Sequence, residues 1–243
     1  MQREIRKWFS PSLEKEMEIA VYGYYGYALL MFPTNTSDYL EYEKFQLIDS
    51  IGHLINNGTL KAFSINSING ESWLNKEINP ADKAIRQQQY NKYIEEEVAA
   101  FINEHCRGNV PILTTGASMG AFLAANAFFR KPGLFAGVIA MSGIYDLRHF
   151  TGDYFDDNCY FNSPVDYLSN ITDEKILEVL RRKSIIIASG QGPHEDPDES
   201  KRISYILHSK EINHWLDLWG YDVPHDWPTW RKMLPYYLDN INI

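Results

Sequence analysis

The sequence predicts an α/β layer fold, a mostly parallel sheet with helices on both faces. Three observations lead there. Short apolar, β-branched runs alternate along the chain with stretches whose apolar residues recur at helical spacing. The strand-like runs, such as Ser184-Ile185-Ile186-Ile187-Ala188, are apolar on both sides, as strands between two helical layers must be. One run, Ile112-Leu113-Thr114-Thr115-Gly116-Ala117, stops at Ser118 among very small residues and passes at once into a helix-forming stretch, Phe122 to Phe129.

Taken in order, Met17 to Tyr22 and Tyr27 to Phe32, joined around Gly23 and Gly26, read as the two arms of a hairpin. Phe45, Ile48, Ile51 and Ile55 give Tyr39 to Asn57 a helical period, which Asn57-Gly58 ends. Leu60 to Ile65 is a short strand, and the polar loop after it carries one large aromatic, Trp73. Tyr90, Ile94, Val98 and Phe101 make Ala81 to Cys106 a second helix. Val110 to Thr114 feeds the serine turn, and Gly120 to Arg130 leaves it as a helix whose alanines allow close packing on a sheet. Leu134 to Met141 and Ser184 to Ala188 are further buried strands. Ser200 to Lys210 is a helix, Trp215 to Trp219 the last strand, and a final helix presents Trp227, Trp230, Leu234 and Leu238 to one side. No repeat, low-complexity tract or linker interrupts the series, so residues 1–243 are expected to form a single domain. The stretch at about 142–183 exceeds what a crossover needs and is rich in aromatics and aspartates. It reads either as a short cap over the carboxyl ends of the strands or as an excursion that covers the sheet edge.

Composition narrows the partners. With 44% hydrophobic residues, 23% charged residues and a net charge of -9, the chain has a sizeable core and no basic stripe for phosphates. No nucleic-acid partner is expected, and no docking on an anionic membrane surface. No apolar run approaches the ~20 residues of a membrane span, and the basic N-terminus lacks the apolar stretch of a secretory signal. Cys106 and Cys159 fit neither a metal spacing nor a disulfide framework, so the default setting is cytoplasmic.

Gly116-Ala117-Ser118-Met119-Gly120 has the layout of a nucleophile elbow, Gly-x-Ser-x-Gly on a sharp strand-to-helix turn. The serine there sits in strained backbone, and the flanking glycines leave no Cβ to clash. A serine hydroxyl needs a base, and the base needs an acid to hold its tautomer; in this architecture acid and histidine follow the serine in that order. Of the histidines after Ser118, His225 alone stands in a loop between the last strand and last helix; His208 and His214 fall inside or beside regular elements, and His149 and His194 lie elsewhere. The acid belongs in Ser189 to Glu199, the loop after the Ser184 strand. Asp198 and Glu199 suit a helix start; Glu195 and Asp196 stand nearer the glycine turn, and spacing does not separate them. Asp222 is a lesser rival. An oxyanion hole needs two backbone N–H donors. Met119 supplies one. The loop Met31 to Thr36 supplies the other, and because Pro33 has no N–H, Thr34 is preferred with Asn35 in reserve. Trp73 would project over the same face, to stack on a substrate or merely to cover the sheet.

Three patches carry a family resemblance: Gly116 to Gly120, Gly190-Gln191-Gly192-Pro193-His194-Glu195, and His225-Asp226-Trp227-Pro228-Thr229-Trp230. Together they resemble the esterase family of α/β-hydrolases that includes esterase D-like enzymes, feruloyl esterases and mycolyltransferases. The mycolyltransferases share a Gly-x-Gly turn leading to a catalytic glutamate and a His-x-Trp-x-x-Trp closing motif. The resemblance implies an α/β-hydrolase fold, Glu195 as the acid and His225 as the base. The His-Gly pair common in the oxyanion loop of such enzymes is missing, with Phe32-Pro33 in its place.

The expectation is therefore a serine esterase that forms an acyl-enzyme on Ser118 and cleaves a small-molecule carboxylic ester, needing no metal or organic cofactor. Transfer of the acyl group to an alcohol or sugar is a close alternative. A non-catalytic binding or sensing protein on the same fold is a third reading, and its signature would be missing triad members.

Overall fold

The computed structural model describes residues 1–243 and contains one sheet of eight strands: β1 (Arg3–Ser10), β2 (Lys15–Tyr22), β3 (Tyr27–Phe32), β4 (Leu60–Ile65), β5 (Ile112–Ala117), β6 (Gly137–Met141), β7 (Ser184–Ser189) and β8 (Trp215–Leu218). Their spatial order is β1-β2-β4-β3-β5-β6-β7-β8, with β1 and β2 antiparallel and everything from β4 to β8 parallel.

The expected pairing of Met17–Tyr22 with Tyr27–Phe32 does not occur. β4 lies between them, pairing Ile19 with Ile65 on one side and Leu30 with Phe63 on the other. Gly23 and Gly26 instead turn the chain across that intervening strand, and both have positive φ. The hairpin partner of β2 is β1, read in the sequence only as a basic N-terminus. Its charged residues hid it: Arg3, Glu4, Arg6 and Lys7 point largely to solvent, as suits a strand on an open sheet edge. Its inward contact is Trp8, whose indole N–H donates to Glu97 at 3.0 Å.

Helices cover both faces because successive strand residues point opposite ways. On one face Leu30, Phe63, Val138 and Ile187 pack under α4 (Pro80–Lys92), a π-helical turn (Tyr93–Val98), α5 (Ala99–His105) and α6 (Met119–Arg130). On the other, Leu29, Met31, Ala62, Leu113 and Ile186 pack under α1 (Glu41–Lys44), α2 (Leu47–Ser50), α3 (Gly52–Asn56) and α12 (Trp227–Asn240). The single helix expected over residues 39–57 is thus three short ones, broken at Gln46 and Ile51. Gln46 adopts the left-handed conformation that interrupts a right-handed helix. The Ser200–Lys210 helix is α11 (Pro197–Ser209).

The β6–β7 connection carries α7 (Arg148–Thr151), α8 (Asp157–Tyr160), α9 (Pro164–Asn170) and α10 (Glu174–Arg181). It is tied to the sheet cover by one buried amide. Asn162 Oδ1 accepts from Asn91 Nδ2 at 2.8 Å and Asn126 Nδ2 at 2.9 Å, while its own Nδ2 donates to the Asn158 carbonyl at 2.8 Å. No helix is long and apolar enough to cross a membrane.

Register decides where the chemistry collects. Phe32 pairs with Gly116, Ala117 with Met141, Met141 with Ala188, and Ser189 with Leu218. Five strands therefore end at one level, and the loops that leave them meet at the carboxyl edge of the sheet, where open α/β sheets bind ligands.

The Asn162 junction is directly testable. Asn162→Ala removes the acceptor of two buried amides, and each donor left without a partner costs about 1–3 kcal/mol. Urea denaturation should show a loss of about 2–4 kcal/mol with an unchanged denaturant slope; a smaller loss would mean that the junction contributes little.

Candidate active site

Ser118 occupies the sharpest bend in this edge. Its φ of 54° and ψ of -123° are strained for any residue with a side chain. The bend holds because β5 and α6 approach more closely than side chains allow. A Cβ on Gly116 would stand 2.3 Å from the Gly120 carbonyl carbon, and one on Gly120 would stand 2.2 Å from the Phe32 oxygen. The Ser118 N–H is fixed to the Met141 carbonyl at 2.9 Å, and α6 begins at the next residue. The Met119 N–H donates to no protein acceptor and lies at the positive end of that helix.

His225 and Glu195 come from adjacent loops locked together by two glycines. Cβ atoms on Gly190 and Gly192 would stand 2.2 and 2.7 Å from the Val223 oxygen. The Gly192 N–H donates to that same oxygen at 2.9 Å, and the His225 N–H donates to the Pro193 carbonyl at 3.1 Å. His225 Nδ1 then lies 3.2 Å from Glu195 Oε2. An ionised carboxylate can only accept, so Nδ1 carries the ring proton and Nε2 is left basic. The Trp230 ring meets the imidazole edge-on, with centroids 5.0 Å apart.

Glu195 is almost sealed, its side chain 1% exposed. Burial alone would raise its pKa, but hydrogen bonds from His225, Ser142 and the Gly190 backbone outweigh it and hold the carboxyl below the usual glutamate range. Ser142 Oγ donates to Oε1 at 2.7 Å and itself accepts the Trp230 indole N–H at 3.1 Å. Sequence reasoning passed over Ser142. Its signal was its place, at the carboxyl end of the strand beside the elbow, with a φ of 55°.

The other carboxylates of that loop are engaged elsewhere. Asp196 caps α11, Asp198 pairs with Lys201 at 2.8 Å, and Glu199 accepts the Tyr145 N–H at 2.7 Å. Among the other histidines, His214 lies 2.7 Å from Ser204 Oγ, and His149 is 3.5 Å from Glu199.

Two expectations need correcting. The Thr34 N–H is not free: it donates to Glu41 Oε2 at 2.6 Å, and Thr34 Oγ1 donates to Oε1 at 2.5 Å. Buried Glu41 thus anchors the loop after β3, a role hidden in a segment read only for its apolar period. The adjacent Asn35 N–H donates to no protein acceptor, and the residue has a φ of 37°. Trp73, in turn, is not a surface platform. It is 2% exposed within the core on the α4 side of the sheet, because its chain folds back under α4. Its neighbour Leu74 reaches the site instead.

These residues surround a cavity of about 350 Å³. Ser118, Met119, His225, Thr34 and Asn35 line its floor and one side, with Leu74, Ile144, Phe150, Trp227 and Trp230 as apolar walls. Trp227 is held flat against Phe45 at 4.4 Å. Of the 142–183 aromatics only Phe150 lines the cavity; Tyr145 is fully buried and Tyr154 faces solvent. A hydroxyl, a carboxylate-oriented imidazole and two free N–H groups around one apolar cavity are the equipment of acyl transfer through a serine.

Residues 44–240 match the model of the Esterase family ("Putative esterase"). Among solved structures, a ferulic acid esterase superposes with a TM-score of 0.75 at 19% identity, over 98% of this chain and 95% of that one. An S-formylglutathione hydrolase from Agrobacterium tumefaciens gives 0.74 at 15% identity, over 98% and 93%. A fluorophosphonate-binding serine hydrolase of Staphylococcus aureus gives 0.69 at 16% identity, over 98% and 97%. At these identities the likeness establishes the α/β-hydrolase fold. No curated protein matches the chain.

The state of Glu195 has a measurable consequence. A carboxyl whose pKa is lower folded than unfolded contributes stability that is complete above the unfolded value, about 4.3, and fades as pH falls through the folded value. Glu195→Gln should therefore cost about 1.5–3 kcal/mol at pH 7, the usual weight of hydrogen bonds to a charged group. In urea melts at stepped pH the gap to wild type should narrow below pH ~4; a constant gap would show that the charge is not what matters.

Proposed function

The chain belongs to the Esterase family and is a carboxylic-ester hydrolase, and from that premise we propose that Ser118, His225 and Glu195 form its catalytic triad. The observation that carries this reading is the meeting of Ser118 and His225 on one cavity, with Glu195 hydrogen-bonded to the far side of the imidazole.

In this mechanism the ester carbonyl enters the cavity with its oxygen toward the free N–H groups of Met119 and Asn35. Ser118 Oγ attacks the carbonyl carbon as its proton passes to His225 Nε2. The imidazolium so formed is stabilised by Glu195, whose charge is already in place and needs no reorganisation. The tetrahedral oxyanion collapses, the C–O bond to the alcohol breaks, and His225 returns the proton to the departing oxygen. Water repeats the sequence on the acyl-enzyme, releasing the carboxylic acid and restoring the serine. Asn35 takes the role first given to Thr34, and Glu41 holds the loop that presents it.

The walls favour small esters with an apolar or aromatic part. A cavity of about 350 Å³ is at the small end of ligand pockets. Ile144 and Phe150 give the 142–183 segment a share in substrate binding, as a short cap-like insertion in a single α/β-hydrolase domain. Both cysteines are unpaired, which suits a reducing, cytoplasmic setting.

Ser118→Ala should lower turnover of aryl and short-chain acyl esters by at least about a thousandfold. Wild type incubated with a fluorophosphonate should gain one phosphonyl adduct, mapped to Ser118 by mass spectrometry, with loss of fluoride. Undiminished turnover in the alanine variant, or an adduct elsewhere, would refute the assignment.

A further inference from the structure

At the amino ends of β3, β4 and β5, across the sheet from Ser118, two cavities of about 290 and 840 Å³ share Tyr24, Tyr25, Lys61 and Cys106. The larger exceeds the catalytic cavity. Nothing in the hydrolytic mechanism uses it.

Lys61 is the unusual member. It is the second residue of β4 and only 5% exposed, yet lines both cavities. Its ammonium stands 5.9 Å from the Phe63 ring and is neither ion-paired nor hydrogen-bonded to protein. Burial pushes its pKa down, and Glu4, the one carboxylate that acts on it, is already engaged by Arg6 and by His105. Its stem is packed away while its ammonium opens on the two hollows with no protein acceptor, so an anion entering there meets an unpaired cation.

The surroundings define what would satisfy it. Arg6, His105 and Arg107 line the larger cavity with Lys61 and Glu104; Glu4 already engages Arg6 and His105, which leaves Lys61 and Arg107 as the cations without an acid. A cationic hollow on a chain of net charge -9 is a local feature, not a reflection of composition. Arg107 forms no ion pair and is held at a φ of 59° beside it. The walls are apolar and ringed: Tyr24 and Tyr25 are 54% and 72% exposed, and Phe101 and Val110 lie behind them.

We infer that this hollow is a second ligand site, for a small organic anion with an aromatic body. Its carboxylate or phosphate group neutralises Lys61 and Arg107, and its ring rests among Tyr24, Tyr25 and Phe101. The inference stands on the hollow alone and is independent of the triad.

The test uses the full chain, with phenyl phosphate, benzoate, inorganic phosphate and uncharged benzyl alcohol as probes in isothermal titration calorimetry. Phenyl phosphate and benzoate should bind. Lys61→Met, which keeps the bulk and removes the charge, should weaken both by about tenfold or more, and Arg107→Asn by several-fold. Trp227→Ala, in the catalytic cavity, should leave that binding unchanged. As a readout that needs no variant, acylation of Lys61 by an N-hydroxysuccinimide ester, followed by peptide mass spectrometry, should slow when phenyl phosphate is present. Three results would overturn the inference: no heat from either aromatic anion at millimolar concentration, binding that survives Lys61→Met, or labelling of Lys61 that phenyl phosphate does not slow. Equal affinity for inorganic phosphate or for benzyl alcohol would overturn the assignment of an aromatic anion. Loss of the Ser118 adduct, by contrast, bears on the triad only.

Discussion

The closeness of α6 to the end of β3 is the constraint on which the rest of the site depends. At Gly120 there is no space for even a methyl group before the Phe32 carbonyl. That contact brings the start of α6 close to the loop after β3, so Met119 and Asn35, whose N–H groups have no protein acceptor, line the same cavity. It also fixes the Ser118 backbone in a conformation that the local sequence would not choose by itself. The strain persists because the sheet on one side and the helix on the other leave the chain no alternative path.

A second constraint is electrostatic. Placing the Glu195 carboxylate at 1% exposure would be prohibitive without compensation. Four donors offset it: His225, Ser142, the Ser189 hydroxyl at 3.2 Å and the Gly190 backbone. Ser142 is in turn oriented by Trp230, the second tryptophan of the closing motif. That motif therefore reaches Glu195 as well as His225. The Trp230 side chain meets His225 with its ring and Ser142 with its N–H.

Much of this was legible in the chain because it rests on local rules. Strand-to-helix alternation and the glycines around Ser118 leave short-range marks, whereas Glu195 was separated from Asp196 only by the family resemblance. What escaped the sequence depends on contacts far apart along it. β4 inserts between β2 and β3, so Gly23 and Gly26 looked like an ordinary hairpin turn. β1 was concealed by the charges that an exposed edge requires. Thr34 was preferred as a donor on proline chemistry alone, and only the buried carboxylate of Glu41, seven residues on, shows its N–H to be occupied. Trp73 carried the composition of a surface platform, but burial is decided by α4, which packs over it. Ser142 showed no motif, since its role comes from the parallel register of β5 with β6.

The seam between the Gly190–Gly192 turn and Val223 has one more implication. Glu195 and His225 are fastened to each other by that seam, whereas Ser118 sits apart at the end of β5. Local breathing at this edge would thus remove glutamate and imidazole as one unit. On the triad we propose, a molecule caught in that state lacks both groups at once and keeps only the residual activity of the remaining site. On that reading, opening of the seam lowers the fraction of competent molecules without altering the geometry of those that stay closed.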